Sequence, residues 1–312
     1  MKQTANLVTA PIAPTLLLFA LPTLGASMLQ SANGSIDAAW VGRLLGENAL
    51  AATTNGNLIM FLLTSFVFGF GMASTILIGQ AVGRGRMGAA KEVLGTAIGT
   101  FLPVALAIAV LGWWLAPDML ALLNTGPEIA PLARAFLRVT FLAMPGILMQ
   151  TMLMMALRGA GDSITPLLFM ALAVVLDVVL NPVFILGLGP APAMGIGGSA
   201  FAMAIANYTS LAAMLAYLYL RGHPLCLRGA ELWLLIPARS VLVLMLRKGL
   251  PMGMQMIVVS SSMLAMMRLV NREGVDTTAA FGAIQQIWTY VQMPAMALGA
   301  AVSAMAAQNI GN

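Results

Sequence analysis

Two aspartates lie inside long apolar stretches of the chain, where a charged side chain is energetically costly. Asp37 follows Gln30 and Asn33 at spacings that place all of these polar side chains on one helix face. Asp177 is flanked by valines and precedes Asn181 by one helical turn. A carboxylate at mid-bilayer costs about 2.5–3.5 kcal/mol on insertion scales, so it usually has a function. We therefore interpret Asp37, Asp177 and Asn181 as a site for a cation or a proton.

Each acid also has a structural interpretation. Asp37 could simply reach solvent at the end of its span, and Asp177 could form a structural hydrogen bond to a neighbouring helix. Two prolines favour the functional interpretation. Pro22 removes a backbone hydrogen bond about four turns before Asp37, which predicts a hinge. Pro182 frees the carbonyl oxygen of Val178 beside Asp177. Hard oxygen ligands suit Na⁺ and a carboxylate alone suits a proton, so the choice of ion stays open.

The elements that must position these residues are membrane helices. Apolar residues make up 60% of the sequence and charged residues only 8%, whereas soluble domains average about 25% charged residues. A run of about 20 apolar residues crosses the hydrocarbon core, and it must be helical because lipid satisfies no backbone polar group. The pattern predicts an all-α membrane protein. Its eight predicted spans are 15–39, 50–82, 93–115, 132–157, 164–187, 198–220, 246–270 and 277–308.

Basic residues are concentrated in the loops on one side of these spans. The loops after the second and sixth spans hold most of them, whereas the opposite loops mix arginines with acids. Because excess Lys and Arg mark cytoplasmic loops, we predict a multi-pass protein of the inner (plasma) membrane with a cytoplasmic N-terminus. The N-terminal region lacks the order of segments typical of a cleavable signal peptide. The net charge of +5 therefore reflects topology, and we predict no nucleic-acid partner.

Motifs typical of enzymes are scarce. The segment Gly83-Arg84-Gly85-Arg86 lacks the Walker pattern, and the sequence has no nucleophile triad and no CxxC motif. The single histidine, His223, and the single cysteine, Cys226, lie in one loop, where we expect solvated side chains. We therefore predict no enzyme activity, no catalytic residues and no cofactor. If the protein pumps a substrate, its energy has to come from a gradient of Na⁺ or H⁺, and the only metal we expect is Na⁺ at the two aspartates and Asn181.

The chain also contains an internal repeat. Leu21-Pro22 matches Leu250-Pro251 at an offset of 229, and Gly79–Gly83 matches Ala307–Gly311 at an offset of 228. An even number of spans separates the copies, so both insert in the same direction as a parallel repeat. We predict a six-helix lobe over 1–222, an inter-lobe linker over 223–245 and the start of a second lobe over 246–312. We expect that this second lobe is cut short after its first two helices.

The linker itself has two interpretations. Cys226–Leu246 contains Trp233 and other apolar residues among charges. Such a segment suits a short amphipathic helix lying on the membrane face, and equally a plain connection.

Several short segments, in this order and at these spacings, resemble the multidrug and toxic compound extrusion (MATE) family of transporters. The segments are Ser35–Gly42, Leu45–Ala52, Gly79–Gly85, Leu157–Asp162, Leu180–Ile185, Gly187–Gly189 and Ala306–Gly311. The resemblance implies two six-helix lobes around a central cavity, and export of cationic or amphipathic organic compounds against Na⁺ or H⁺. It implies that Asp37 matches the family's cation-binding acid of the first span, and that Gln30 matches an amide lining the same cavity.

The resemblance also matches Asp177 and Asn181 to a polar pair before a proline in the fifth span. Relatives often have Asn first and Asp second, so the order here is reversed. The repeat places Met266 at the position equivalent to Asp37, so we expect the acid in the first lobe only. We predict polar side chains along the substrate cavity: Gln30, Asn33, Ser199, Asn207 and Gln285.

We therefore interpret the chain as a secondary active antiporter for drugs or toxic metabolites. One alternative is a flippase for lipid-linked precursors, although its anionic headgroups would call for basic residues in the cavity rather than in loops. The other alternative is a membrane fragment that transports nothing. We expect a small organic substrate and membrane lipid as partners, and a monomer for the complete protein.

Overall fold

The computed structural model describes residues 11–122, 128–188, 192–272 and 275–311, with some side chains of the second, third, seventh and eighth α-helices excepted. These residues form eight long α-helices and a short 3₁₀ helix, Gly229–Leu235. The α-helices are α1 (Ile12–Leu45), α2 (Glu47–Gly83), α3 (Met87–Leu122), α4 (Ala130–Gly159), α5 (Ile164–Leu186), α6 (Ile196–Arg221), α7 (Arg239–Arg272) and α8 (Val275–Gly311).

All eight predicted spans are helices long and apolar enough to cross a membrane, so the predicted all-α membrane fold is confirmed. Most helices run past the predicted ends. α1 has 34 residues, and at 1.5 Å per residue it reaches about 51 Å, well beyond a hydrocarbon core of ~30 Å. Hydropathy marks only the part of a helix in lipid, so it misses the projecting turns. Gly46 alone joins α1 to α2, at a φ of 84° that favours glycine.

The middle of the bundle is built on α2 and α4. α2 packs against α4, α7 and α8, and α4 packs against α3 and α6. Large apolar side chains such as Phe70, Phe141 and Met152 are fully buried between these helices. Other large apolar side chains, including Leu18 and Val179, point outward. Lipid tails solvate such side chains, so the outer surface needs no polar cover.

The two copies of the repeat meet where α2 and α8 end. A β-carbon on Gly83 would collide with the carbonyl oxygen of Gln308, and one on Gly311 would collide with the carbonyl oxygen of Gln80. The 228-residue offset converts the first contact into the second. Reciprocal contacts of this kind arise when two similar units are related by a two-fold axis. They agree with a parallel repeat, while the division into lobes and linker stays a prediction.

The segment between α6 and α7 packs on α3 through its 3₁₀ helix. Both carboxylate oxygens of Glu231 lie 2.7 Å from Lys91 Nζ. The amide of Ala238 donates to Thr96 Oγ1 (3.3 Å). Trp233 is 65% exposed. The segment thus contains one short helix with an outward tryptophan, and α7 begins at Arg239, before the predicted end of the linker.

The expectation of solvated side chains at the loop cysteine and histidine is wrong. Cys226 is buried, and His223 is half-buried. The loop folds back on α6 because the Tyr219 hydroxyl donates to the Leu227 carbonyl oxygen (2.7 Å). Arg228 in turn donates to the Tyr219 carbonyl oxygen (2.7 Å).

Candidate functional site

The two intramembrane aspartates meet between α1 and α5, which run parallel and in register. Asn33 Nδ2 donates to Asp177 Oδ2 (2.8 Å), and Asn181 Nδ2 donates to Asp37 Oδ1 (2.8 Å). Both pairs are 144 residues apart in sequence, so one helical turn on α1 faces one turn on α5. Asn33 Nδ2 also lies 3.2 Å from Asp37 Oδ2. We call these four side chains the acid–amide cluster.

This register gives a physical meaning to the reversed order of Asp177 and Asn181. Each acid faces an amide on the other helix, so the two acids lie diagonally across the cluster. With Asn first and Asp second on α5, the acid would face Asp37 directly. The order in this chain instead places the Asn33 amide within reach of both carboxylates, 2.8 Å from Asp177 Oδ2 and 3.2 Å from Asp37 Oδ2.

Part of the cluster is deeply buried and short of donors. Asp177 is 2% exposed and Asn181 is fully buried, while Asn33 and Asp37 are half-buried. Three buried oxygens, Asn33 Oδ1, Asp177 Oδ1 and Asn181 Oδ1, have no hydrogen-bond partner among the described residues. A buried polar atom without a partner is costly, and native structures contain few. All of these unpartnered atoms are acceptors, so the cluster has fewer hydrogen-bond donors than acceptors among the described residues.

The two carboxylates of the cluster also lack a basic partner among the described residues. Among the residues that the structure describes, neither Asp37 nor Asp177 has a Lys, Arg or His within ion-pair distance. Two carboxylates in such surroundings strongly favour the arrival of a positive charge. Carboxylate and amide oxygens are suitable ligands for a hard cation, and a carboxylate also accepts a proton. The arrangement therefore presents oxygen atoms whose chemistry suits a monovalent cation or a proton.

The other predicted cavity residues whose side chains are described do not join this cluster. Gln30 is exposed on α1, and Ser199 is buried near the start of α6. Asn207 Nδ2 donates to the carbonyl oxygen of Met203 within α6 (2.8 Å). Gln285 lies in α8, but its side chain falls outside the described part. The predicted hinge, Pro22, lies inside a continuous α1.

Sequence reasoning missed a second buried polar contact. Gln150 Nε2 on α4 donates to Ser210 Oγ on α6 (3.0 Å), and Ser210 donates to the Phe169 carbonyl oxygen on α5 (2.6 Å). The available signal was an amide inside an apolar span, because such a group needs a partner in lipid. The contact joins α4, α5 and α6, and it lies outside the acid–amide cluster.

Asp162 lies in the loop between α4 and α5 and is only 4% exposed. Its Oδ1 accepts from the backbone amides of Ile164 (3.1 Å) and Thr165 (3.0 Å) at the start of α5. Its Oδ2 accepts from the Thr165 hydroxyl (2.6 Å) and lies 4.0 Å from His223 Nε2. An Asp just before a helix is a common capping signal, and here it holds the start of the helix that carries Asp177.

Comparison with known proteins identifies the family. The MatE family model matches residues 22–183 and 251–312, together more than half of the chain. The two matches begin 229 residues apart, which is the offset of the repeat.

Among curated proteins, the probable multidrug resistance protein YoeA of Bacillus subtilis is 38% identical, over 94% of this chain and 64% of its own length. YpnP of the same organism, also a probable multidrug resistance protein, is 32% identical over 95% of this chain and 64% of its own length. An FAD transporter of Shewanella oneidensis is 26% identical over 100% of this chain and 68% of its own length. The chain thus spans just under two-thirds of the length of the Bacillus proteins.

Solved structures agree in fold. A MOP superfamily transporter from Pyrococcus furiosus superposes with a TM-score of 0.89 at 20% identity, covering 100% of this chain and 68% of that one. An outward-facing multidrug resistance MATE family transporter gives 0.88 at 20% identity, again over 100% of this chain and 68% of the other. With the family model matching more than half of its residues, this chain belongs to the MatE family of multi-pass membrane transporters and is not an enzyme.

Proposed function

We propose that the chain holds the coupling-ion site of a secondary active antiporter that exports cationic or amphipathic organic compounds in exchange for Na⁺ or H⁺. One observation carries the proposal: two intramembrane carboxylates share a cluster with three buried oxygens that have no partner among the described residues. Membership of the MatE family supports an efflux role.

The cluster links ion binding to the packing of two helices. Its hydrogen bonds are contacts between α1 and α5, apart from the bond from Asn33 to Asp37 within α1. A proton on one carboxyl group would add a donor, and a Na⁺ ion would draw the free oxygens towards itself. Either event changes which groups Asn33 and Asn181 bind, and therefore how α1 rests against α5. An ion can drive a conformational change only if it binds the two conformations with different affinities.

Pro22 gives α1 a point at which it can bend when an ion binds. Proline has no amide hydrogen, so the carbonyl oxygen of Leu18 loses its usual helical partner. Asp37 lies 15 residues further along α1, about 22 Å away at the rise of an α-helix. A small change in bend at Pro22 would therefore move the acid end of α1 by several ångströms.

The orientation belongs to the same proposal. With a cytoplasmic N-terminus, α1 and α5 both run outward, because three spans, an odd number, lie between them. Asp37 lies eight residues before the end of α1, or about 12 Å. The cluster would thus lie in the outer half of the bundle, and ions would reach it from the outside.

The decisive experiment is Asp37→Asn in cells that express the protein, with efflux of a fluorescent cationic dye measured under separate Na⁺ and H⁺ gradients. We expect efflux driven by one of the gradients to fall to background, because the variant keeps the side-chain shape and removes the charge that attracts the ion. Asp118→Asn is the matched control, since Asp118 is exposed at the end of α3 and lies outside the cluster.

A direct binding measurement separates the site from transport. ²²Na⁺ binding and proton release are measured on the purified chain, with and without Asp37→Asn. Loss of binding in this variant alone supports the assignment. Undiminished efflux at normal membrane levels of Asp37→Asn would refute it, and so would equal losses in both variants.

A further inference from the structure

A second candidate site lies at the end of the bundle where α3 finishes and α4 begins. A cavity of about 700 Å³ opens there between the two helices. Its walls are mostly apolar, with two arginines one helical turn apart: Pro117, Leu120, Ala121, Ala130, Pro131, Arg134, Ala135 and Arg138. The acid–amide cluster contributes no residue to this cavity.

Arg138 is held in place but left short of an acceptor. Its guanidinium lies over the ring of Trp113 on α3, 5.3 Å from the ring centroid. Its Nε is buried and has no hydrogen-bond partner among the described residues. A buried donor on a cation is costly without an acceptor. The ring contact orients the side chain but gives Nε no acceptor, so an acceptor on a bound molecule would stabilise this arginine.

No described acid neutralises the arginine pair. Neither Arg134 nor Arg138 forms an ion pair within the described ranges. The acids on neighbouring turns, Asp118 on α3 and Glu128 before α4, are exposed and do not line the cavity. Guanidinium groups bind phosphate oxygens through paired hydrogen bonds, so the cavity suits a phosphate-bearing anion.

The depth of the cavity identifies the source of the phosphate. Trp114, next to the ring that supports Arg138, is 75% exposed, and exposed tryptophans in membrane helices concentrate at the interface with water. α3 has 36 residues, about 54 Å, so its last turns project beyond the hydrocarbon. The cavity therefore lies at the level of lipid headgroups.

Apolar surface for lipid tails lies directly below. Val110 on α3 is 59% exposed, one turn deeper than Trp114. Leu142 on α4 is 52% exposed, one turn deeper than Arg138. A free phosphate ion would leave this surface unused.

We propose that Arg134 and Arg138 bind the phosphate headgroup of an anionic phospholipid in the leaflet at this end of the bundle. Under the orientation proposed above this is the outer leaflet, but the lipid site rests on neither that orientation nor the coupling ion. A bound lipid would link the ends of α3 and α4.

Native mass spectrometry of the purified chain tests the site, with phosphatidylglycerol, phosphatidylcholine of the same acyl chains, and inorganic phosphate as probes. We expect preferential binding of phosphatidylglycerol, weakened roughly thirtyfold in R134Q/R138Q because two basic contacts are lost. Ala135→Trp keeps both charges and fills the cavity, so it should also weaken binding. R43Q removes an exposed arginine in the last turn of α1, at the same end of the bundle, and should change affinity less than about twofold.

Each alternative has its own result. If R134Q/R138Q keeps the preference, or R43Q loses it equally, the arginines form no specific site. If inorganic phosphate displaces the lipid at similar concentrations, the site holds a free anion and the lipid assignment is wrong. Thermal unfolding of each variant shows whether a loss reflects misfolding, and Ala135→Trp then decides, because it leaves the arginines in place.

Discussion

Asp162, just before the start of α5, and Asp177, within α5, are both buried, at 4% and 2% exposure, yet their surroundings differ. Asp162 accepts hydrogen bonds from two backbone amides and a hydroxyl, and a histidine lies 4.0 Å away. Asp177 accepts one bond from Asn33 on one oxygen, and its other oxygen has no partner among the described residues. Both oxygens of the Asp162 carboxylate have hydrogen-bond donors, whereas one oxygen of the Asp177 carboxylate has none among the described residues.

This difference distinguishes a structural acid from a candidate functional one. A carboxylate that already holds its donors gains little from a cation and stabilises the folded state directly. A carboxylate that shares its only described donor with a second acid favours an incoming positive charge. Burial alone would have grouped the two residues together, so the hydrogen-bond partners are what separates them.

The largest effect should come from Asp177→Asn. Removing this charge leaves Asp37 with three amides, so we expect cation binding to weaken at least tenfold, by the loss of more than about 1.4 kcal/mol of attraction. Folding should be little affected, because a buried carboxylate lacking donors is replaced by a neutral amide. ²²Na⁺ binding, proton release and thermal unfolding of the purified chain measure both quantities. A large fall in melting temperature with intact cation binding would show that Asp177 is a structural acid rather than a functional one.

Asp162→Ala should give the opposite pattern. The amides of Ile164 and Thr165 and the Thr165 hydroxyl would lose their acceptor at the start of α5. We expect the free energy of unfolding to fall by about 1–3 kcal/mol. Cation binding per folded molecule should be retained, because the cluster lies more than three turns further along α5. Binding that disappears in a folded Asp162→Ala protein would show that the helix start controls the site.

The smallest effect concerns His223, beside Asp162. Burial lowers the pKa of His223 below its usual 6.5, more strongly than the neighbouring carboxylate raises it. The unfolded state therefore binds the proton more tightly than the folded state does. The contribution of His223 to the free energy of unfolding is complete above pH 6.5, and it is lost as the pH falls through the pKa of the folded state. His223→Gln should make the melting temperature depend less on pH between about pH 6.5 and 5. Glu231, whose pKa is lowered by Lys91 from 4.5, changes charge below that window. An unchanged slope in the variant would contradict this account.

Much of the fold was predictable because lipid imposes simple rules. Apolar runs long enough to cross the membrane must be helices, so all eight spans could be placed from hydropathy. The ends of α1 and α3 could not be placed, since their last turns lie beyond the hydrocarbon and follow packing and caps instead. His223 and Cys226 were expected in solvent because a loop sequence does not reveal that Tyr219 and Arg228 fold it back.

For the candidate site, the sequence by itself determined which residues matter: acids and amides on α1 and α5, where lipid makes a polar side chain expensive. Only the tertiary structure decided their pairing. The alignment of Asn33 with Asp177 and of Asp37 with Asn181 depends on the position of α1 along α5, which the packing of the two helices sets. The three unpartnered oxygens follow from the pairing, because hydrogen-bond satisfaction belongs to neighbouring groups in space.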